Sequence, residues 1–255
     1  MIDKFLNAFL DIQFSSDTHT YRVKNYSNPF ISVTTLIDVY CHQFDSESIA
    51  TKTAKKRKID KKDLLDEWEN KKNASIDKGK YIHSFIENRI KIQNYEDNTN
   101  LYPKEKSQFL DFENNFLKDK TVLYSEKVLY NSENRLAGTI DCLVYDDSDK
   151  KLYYIDWKTN EKISSSNKYQ NLKFPLNKYQ QSSKEIYALQ LSFYRYMIET
   201  EIIDKDESLS SLLNNSSNYV VQINEANETY NMIELPYYKY SVNQTLKHYN
   251  KENKI

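Results

Sequence analysis

Residues 136–160, Leu-Ala-Gly-Thr-Ile-Asp-Cys-Leu-Val-Tyr-Asp-Asp-Ser-Asp-Lys-Lys-Leu-Tyr-Tyr-Ile-Asp-Trp-Lys-Thr-Asn, constrain the fold of this chain more than any other stretch. Two runs rich in Val, Ile, Leu and Tyr flank the turn-forming cluster Asp146, Asp147, Ser148 and Asp149, which is the pattern of a β-hairpin. With Asp147 to Lys150 as the loop, Asp141 falls directly opposite Asp156, their Cβ atoms about 4.5–5.5 Å apart. The strand period of two puts Lys158 on the same face as Asp156 and turns Trp157 into the protein. Two carboxylates and an ammonium therefore converge. Like charges opposed in a sheet are destabilising, so this face is either a solvated Asp-Lys ion pair or a seat for one divalent cation.

The chain uses glycine only twice, at Gly79 and Gly138. Glycine permits positive φ or close backbone approach, so both positions are expected to need one or the other. Gly138 lies three residues before Asp141, and Gly79 four before His83. Each glycine introduces one half of a candidate metal site.

At 255 residues, 39% hydrophobic and 29% charged, the chain is long enough for one large domain with a real core. It is read as a single unit. Residues 1–75 form an N-terminal substrate-engaging segment, 76–200 a catalytic core, and 201–255 the closing strands and helix. No apolar run reaches membrane-spanning length. The N-terminus carries acids and no small-residue cleavage site, so neither a signal nor a transit peptide fits, and a cytoplasmic location is expected (host cytoplasm if the gene is carried by a phage). The two cysteines, Cys41 and Cys142, are too few for an iron-sulfur cluster and read as buried thiols. A net charge of −1 argues against an indiscriminate polycation, yet local patches can still contact phosphate.

Taken in order, residues 13–25 read as a short strand or hairpin, and residues 32–37 as a strand running into a helix. Residues 46–62 are helical and basic. Their cations, Lys55, Lys56, Arg57 and Lys58 among them, form either a solvated face or a phosphate-binding surface. Residues 63–72 continue helically through Trp68, an aromatic expected in the core. Residues 77–92 give an amphipathic helix on which His83 and Glu87 are i,i+4 neighbours beside an apolar stripe. A helix over 104–118 follows, then a strand over 122–130 that carries Glu126. Residues 160–183, with Lys162, are read as a substrate-facing loop. The helix over 184–200 brings Tyr187, Gln190 and Tyr194 onto one side, as a Tyr-rich core face or as part of a site. A loop over 204–218, strands over 219–223 and 230–235, and a helix from Tyr240 complete the chain.

Four pieces, Gly79-Lys-Tyr-Ile-His83-Ser-Phe-Ile-Glu87, Ala137-Gly-Thr-Ile-Asp141, Ile155-Asp156-Trp157-Lys158-Thr159 and Gln190-Leu-Ser-Phe-Tyr194, together resemble the PD-(D/E)XK nuclease superfamily in its RecB-like exonuclease branch. The segment Thr18-His19-Thr-Tyr21 followed by Ser32-Val33-Thr34 is similar to the N-terminus of phage exonucleases and of the mitochondrial genome maintenance exonuclease. The resemblance implies an α/β fold of restriction-endonuclease type, a central mixed sheet flanked by helices with a helical N-terminal part. It implies Mg²⁺ or Mn²⁺ held by His83, Asp141, Asp156 and the Trp157 carbonyl, hard ligands with a histidine that softens the set toward Mn²⁺. Lys158 would then orient or activate the attacking water, Glu87 beside His83 would join Asp141 and Asp156 in the catalytic set, and Gln190 and Tyr194 would brace the site. Thr139-Ile140-Asp141 replaces the Pro-Asp of the superfamily name.

The function expected is metal-dependent exonucleolytic hydrolysis of DNA, single- or double-stranded with a free end, in phage or viral replication, recombination or repair. Substrate contacts are expected from Lys55, Lys56, Arg57, Lys58, Lys162 and Tyr187, and a single-strand-annealing protein or helicase is the kind of partner implied. An inactive DNA-binding or partner-recruiting descendant and an endonuclease on the same fold are the alternatives. The latter needs a base-reading element in the major groove, and none is identifiable.

Overall fold

The computed structural model describes residues 1–253. A short helix α1 (Ile2–Leu6) leads into an antiparallel hairpin, β1 (Ile12–Ser15) and β2 (Thr20–Val23), as residues 13–25 suggest. A two-residue strand, β3 (Ile31–Ser32), passes directly into α2 (Val33–Val39). Ser32 caps this helix by accepting the Thr35 N–H at 3.0 Å, a contact worth about 1 kcal/mol.

The basic region departs from its expected boundaries. Helix α3 (Ser46–Arg57) ends where Lys58 turns left-handed (φ 56°), and Asp60 then caps α4 (Lys61–Lys91) by accepting the Lys62 N–H at 2.7 Å. The helices expected over 63–72 and 77–92 are thus one. The intervening Asn73-Ala74-Ser75-Ile76 contains no proline or glycine to stop a helix that is already nucleated. This helix also runs without a break across the expected segment boundary at residue 75.

Helix α5 (Pro103–Phe112) starts with proline in its first turn, the position where a missing N–H costs nothing, and is prolonged by a wide π turn through Leu117. Three long strands follow: β4 (Thr121–Asn131), β5 (Leu136–Asp146) and β6 (Lys151–Lys158). After the irregular stretch 159–182 come α6 (Ser183–Ile198), α7 (Ser211–Asn214), β7 (Ser216–Gln222), β8 (Asn231–Leu235) and α8 (Lys239–Asn253). The segment expected as a loop over 204–218 therefore holds a short helix and the start of a strand.

The strands build one mixed sheet in the order β3-β5-β6-β7-β8, with β4 antiparallel along the other edge of β5. The β3–β5 and β6–β7 pairs are parallel and the rest antiparallel. The central hairpin turns at residues 147–150 as expected, and Asp146↔Lys151 through Cys142↔Ile155 pair in the expected register. Pairing stops there. On the same edge of β5, β3 takes up only Leu136 and Ala137. Residues 138–141 thus lie in a gap between two partner strands, with Asp141 at the fork.

Helices cover both faces, as the period of two along the strands requires. Leu152 and Tyr154 face a large core built with α2, α6 and α8, where Leu36, Leu189, Phe193 and Val242 are buried. Tyr153, Ile155 and Trp157 face the second core, with Ile82, Phe85 and Ile86 of α4 and Phe109 and Phe112 of α5. Trp157 is buried with its ring edge-on to Phe109 and Phe112, centroids 5.7 and 5.3 Å away, a burial worth on the order of 4 kcal/mol. Trp68 sits elsewhere. It is half-buried, 6.2 Å from the Phe44 ring, against a satellite cluster of Ala50, Ala54 and Leu64 between α3 and α4.

Neither glycine has positive φ; among the described residues nine non-glycine residues do. A Cβ on Gly138 would meet the Tyr194 ring at 2.6 Å and Val33 at 3.3 Å, so this glycine is needed for close approach. Gly79, inside α4, would meet only Thr159 Oγ1 at 3.7 Å, an ordinary contact. The expectation that both positions demand glycine holds for one of them.

Candidate metal centre

The apolar stripe Ile82, Phe85 and Ile86 fixes α4 on the sheet and so aims His83 at the fork between β5 and β6. His83 Nε2 lies 3.2 Å from the Trp157 carbonyl oxygen, and Nδ1 lies 3.0 Å from Glu126 Oε1 and 3.8 Å from Asp141 Oδ2. Asp141, buried where the ladder opens, accepts the Trp157 N–H at 2.8 Å. That bond satisfies a backbone donor left without a strand partner. His83, Glu126 and Asp141 each place one ligand atom within 4.8 Å of the other two.

Glu126 reaches this cluster by an unusual route. It sits inside β4 with φ 48°, left-handed backbone that a residue with a Cβ adopts at a cost of about 1–2 kcal/mol. The pairing of Ser125 with Cys142 and of Lys127 with Ile140 brackets it, so Glu126 stands across from Asp141. Sequence reading places Glu126 on a strand and gives it no role. The β4–β5 turn at 132–135 carried the missing signal, because pairing outward from Asn131↔Leu136 reaches this position. The left-handed twist was not legible.

The other expected residues form a second chain of contacts beside α6. Lys158 Nζ is 2.6 Å from Asp156 Oδ2, which has no other partner among the described residues, and Asp156 Oδ1 accepts from Gln190 Nε2 at 3.1 Å. Gln190 also donates to the Tyr194 hydroxyl at 3.2 Å. The Lys158 ammonium lies 4.7 Å over the Tyr187 ring, whose hydroxyl donates to Asn160 Oδ1. Asp156 thus turns to Lys158 and Gln190 and lies outside the cluster of His83, Glu126 and Asp141. Glu87 pairs with Lys91 at 2.5 Å and only lines the shallow cavity that His83 shares with Glu126. Arg57 is 3.4 Å from Glu67, Lys58 ends α3, and both belong with Lys55 and Lys56 to its exposed C-terminal end. Lys162, with Lys72 and Lys78, lines a cavity of about 710 Å³ that borders Thr159, next to Lys158.

Charge explains the protonation of these groups. Burial works against the His83 imidazolium, but the Asp141 and Glu126 carboxylates outweigh it and lift its pKa to about 9. Burial raises the Asp141 carboxyl above its ordinary value against the pull of His83 and Lys158, and pushes Asp156 up to about 6 despite the Lys158 ammonium. Lys158 is itself disfavoured by burial, yet Asp156 and Asp141 hold its pKa above the ordinary lysine value.

The groups fit a small hard cation: the Asp141 carboxylate, an imidazole and a backbone carbonyl as donors, with the Glu126 carboxylate against the other imidazole nitrogen. The 3.2 Å between His83 Nε2 and the Trp157 oxygen is close to the ~3 Å between neighbouring ligands in an octahedral shell of ~2.1 Å bonds. Two acids against one imidazole leave this half of the site short of positive charge. Among the described residues no helix is long and apolar enough to cross a membrane. The chain matches no model of a known protein family, and no curated protein matches it.

Proposed function

We propose that this protein is a Mg²⁺- or Mn²⁺-dependent deoxyribonuclease of the PD-(D/E)XK kind, on a restriction-endonuclease-like fold, acting on DNA ends. The observation that carries the reading is the fork itself. His83, Glu126, Asp141 and the Trp157 carbonyl converge at the point where β5 and β6 part, with Lys158 two residues past Asp156 on the adjoining strand end. His83, Asp141 and the Trp157 carbonyl would hold the cation, with Glu126 against the imidazole. A divalent cation there supplies Lewis acidity at a phosphate oxygen and lowers the pKa of its bound water.

The chain's own groups do the rest. Lys158, held between Asp156 and the Tyr187 ring, keeps its proton and presents positive charge to a phosphate that gains negative charge as it is attacked. Gln190 fixes the Asp156 carboxylate by one oxygen and so leaves Lys158 a single well-defined partner. Buried Tyr194 closes the floor beneath Gly138. Lys72 and Lys162 line the cavity beyond Thr159 beside Glu161 and Glu225, with Lys78 paired to Glu105, and offer two cations to a backbone that leads away from Lys158.

The test is digestion of end-labelled single- and double-stranded linear DNA beside closed circular DNA, with Mg²⁺, Mn²⁺ or EDTA. Metal-dependent loss of linear DNA alone is expected, reduced at least ~100-fold in Lys158→Ala, the scale on which transition-state charge stabilisers act. Cleavage of closed circles would replace the exonuclease reading by an endonuclease. Intact DNA under every metal condition would overturn the enzyme altogether.

A further inference from the structure

A cavity of about 360 Å³, lined by Glu126 but not by His83, lies between the β1–β2 hairpin and the sheet, and no step above uses it. Its volume is at the small end of ligand cavities, which run to about 300–1,000 Å³. Four rings stand in its wall, Phe14, His19, Tyr21 and Tyr194: Phe14 and Tyr21 lie 4.6 Å apart and tilted by 30°, and His19 stands edge-on to Phe14 at 5.2 Å. Phe14 is 37% exposed, so an apolar ring remains open to whatever enters. Hydroxyls of Ser32, Thr34 and Thr139 share the lining, and Tyr21 OH lies 3.2 Å from Thr139 Oγ1.

Two features tie this cavity to the cluster at the fork. Glu126 lines both it and the shallow cavity of His83. Gly138 and Thr139, which form part of its wall, lead two residues later to Asp141 along the unpaired edge of β5. Gly138 is also the residue against which Tyr194 and Val33 pack, where a Cβ would meet the Tyr194 ring at 2.6 Å, so the bare position lets that ring close the wall.

The chemistry of the lining selects the ligand. The described residues of the lining include no lysine or arginine, and the Glu126 carboxylate among them opposes an anion, so the lining is a poor match for a phosphate. Aromatic faces beside a few hydroxyls match a planar, hydrogen-bonding, uncharged ring. We propose that this cavity receives one unpaired nucleobase, that of the nucleotide adjoining the phosphate held at the fork. A base in a duplex cannot enter, so the pocket confers a preference for single-stranded or frayed ends. This inference rests on the nuclease reading and deepens it.

Single strands carrying 2-aminopurine at one position at a time from each end test it, bound to the full chain in EDTA so that no cleavage intervenes. Stacking is expected to quench 2-aminopurine at one register near an end, and quenching is lost in Phe14→Ala with His19→Ala and in the milder Phe14→Leu. An abasic site at that register weakens wild-type binding about tenfold, the scale of one base stacked on an aromatic, and does not weaken the double variant further. In Mg²⁺ the variants raise KM about tenfold with kcat within about twofold. DNA that is bound and cleaved with no register-specific quenching overturns the pocket and leaves the nuclease standing. A chain that neither binds nor cleaves DNA overturns both.

Discussion

The two halves of the site answer the same electrostatic problem differently. Beside α6, the buried Asp156 carboxylate meets an ammonium, Lys158, at 2.6 Å and an amide, Gln190, at 3.1 Å, so the charge is closed within the chain. Beside α4, Asp141 and Glu126 share one imidazole, and the balance depends on whether that imidazole keeps its proton. Both halves use carboxylates on neighbouring strands. The half with its own lysine needs nothing from outside, whereas the half without one is where an external cation lowers the energy most.

The comparison breaks most plainly on metal affinity. Glu126→Gln is expected to weaken Mn²⁺ binding about 10–100-fold, the usual cost of losing a carboxylate that orients a ligating histidine, while Asp156→Asn weakens it less. Titration of Mn²⁺ followed by electron paramagnetic resonance reads both. The reverse order would place the cation at Asp156 and end the division into a closed and an open half.

Stability against pH sharpens it next. In metal-free protein the folded His83 pKa of about 9 lies above the unfolded ~6.5, so its stabilising contribution is complete below pH ~6.5 and is lost as pH rises through 9. Asp156 is an acid whose folded pKa, about 6, is raised above its unfolded value, so its contribution is lost earlier, between pH ~4 and 6. Two separate falls are expected in denaturant midpoints measured in EDTA. His83→Gln should remove the upper one, worth about 1–3 kcal/mol, and keep the lower. A variant that retains the upper fall would assign it to another group.

The two glycines give the smallest and cleanest contrast. Gly138→Ala, which forces a methyl against Tyr194, is expected to cost about 1–3 kcal/mol. Gly79→Ala, on a helix with ordinary room, is expected to stabilise by about 0.5–1 kcal/mol. Urea denaturation of both variants measures the difference, and equal losses would mean that α4 approaches β6 more tightly than 3.7 Å implies.

Much of this architecture is local and therefore legible in the residues. The turn at 147–150 sets the register of the central hairpin, the period of two puts Lys158 with Asp156 and Trp157 opposite, and the stripe on α4 brings His83 to the sheet. The mixed sheet between helices is implied by the resemblance alone; strands β5 and β6 are buried almost end to end, as a sheet covered on both faces requires. The expected helices over 63–72 and 77–92 are one because the polar residues between them do not stop a helix, which takes a Pro, a Gly or a cap.

Tertiary structure alone decided the fork. Hairpin rules pair Asp141 with Asp156, but β3 takes the first residues of β5 and leaves β6 only the last five, so the edge between them opens and Asp141 turns to the Trp157 amide. The same opening admits His83 from above and Glu126 from the neighbouring strand, and turns Asp156 toward α6. None of these choices is written in the spacing of the residues. Each depends on which of several distant elements reaches an exposed backbone edge, and only packing on both faces of the sheet determines that.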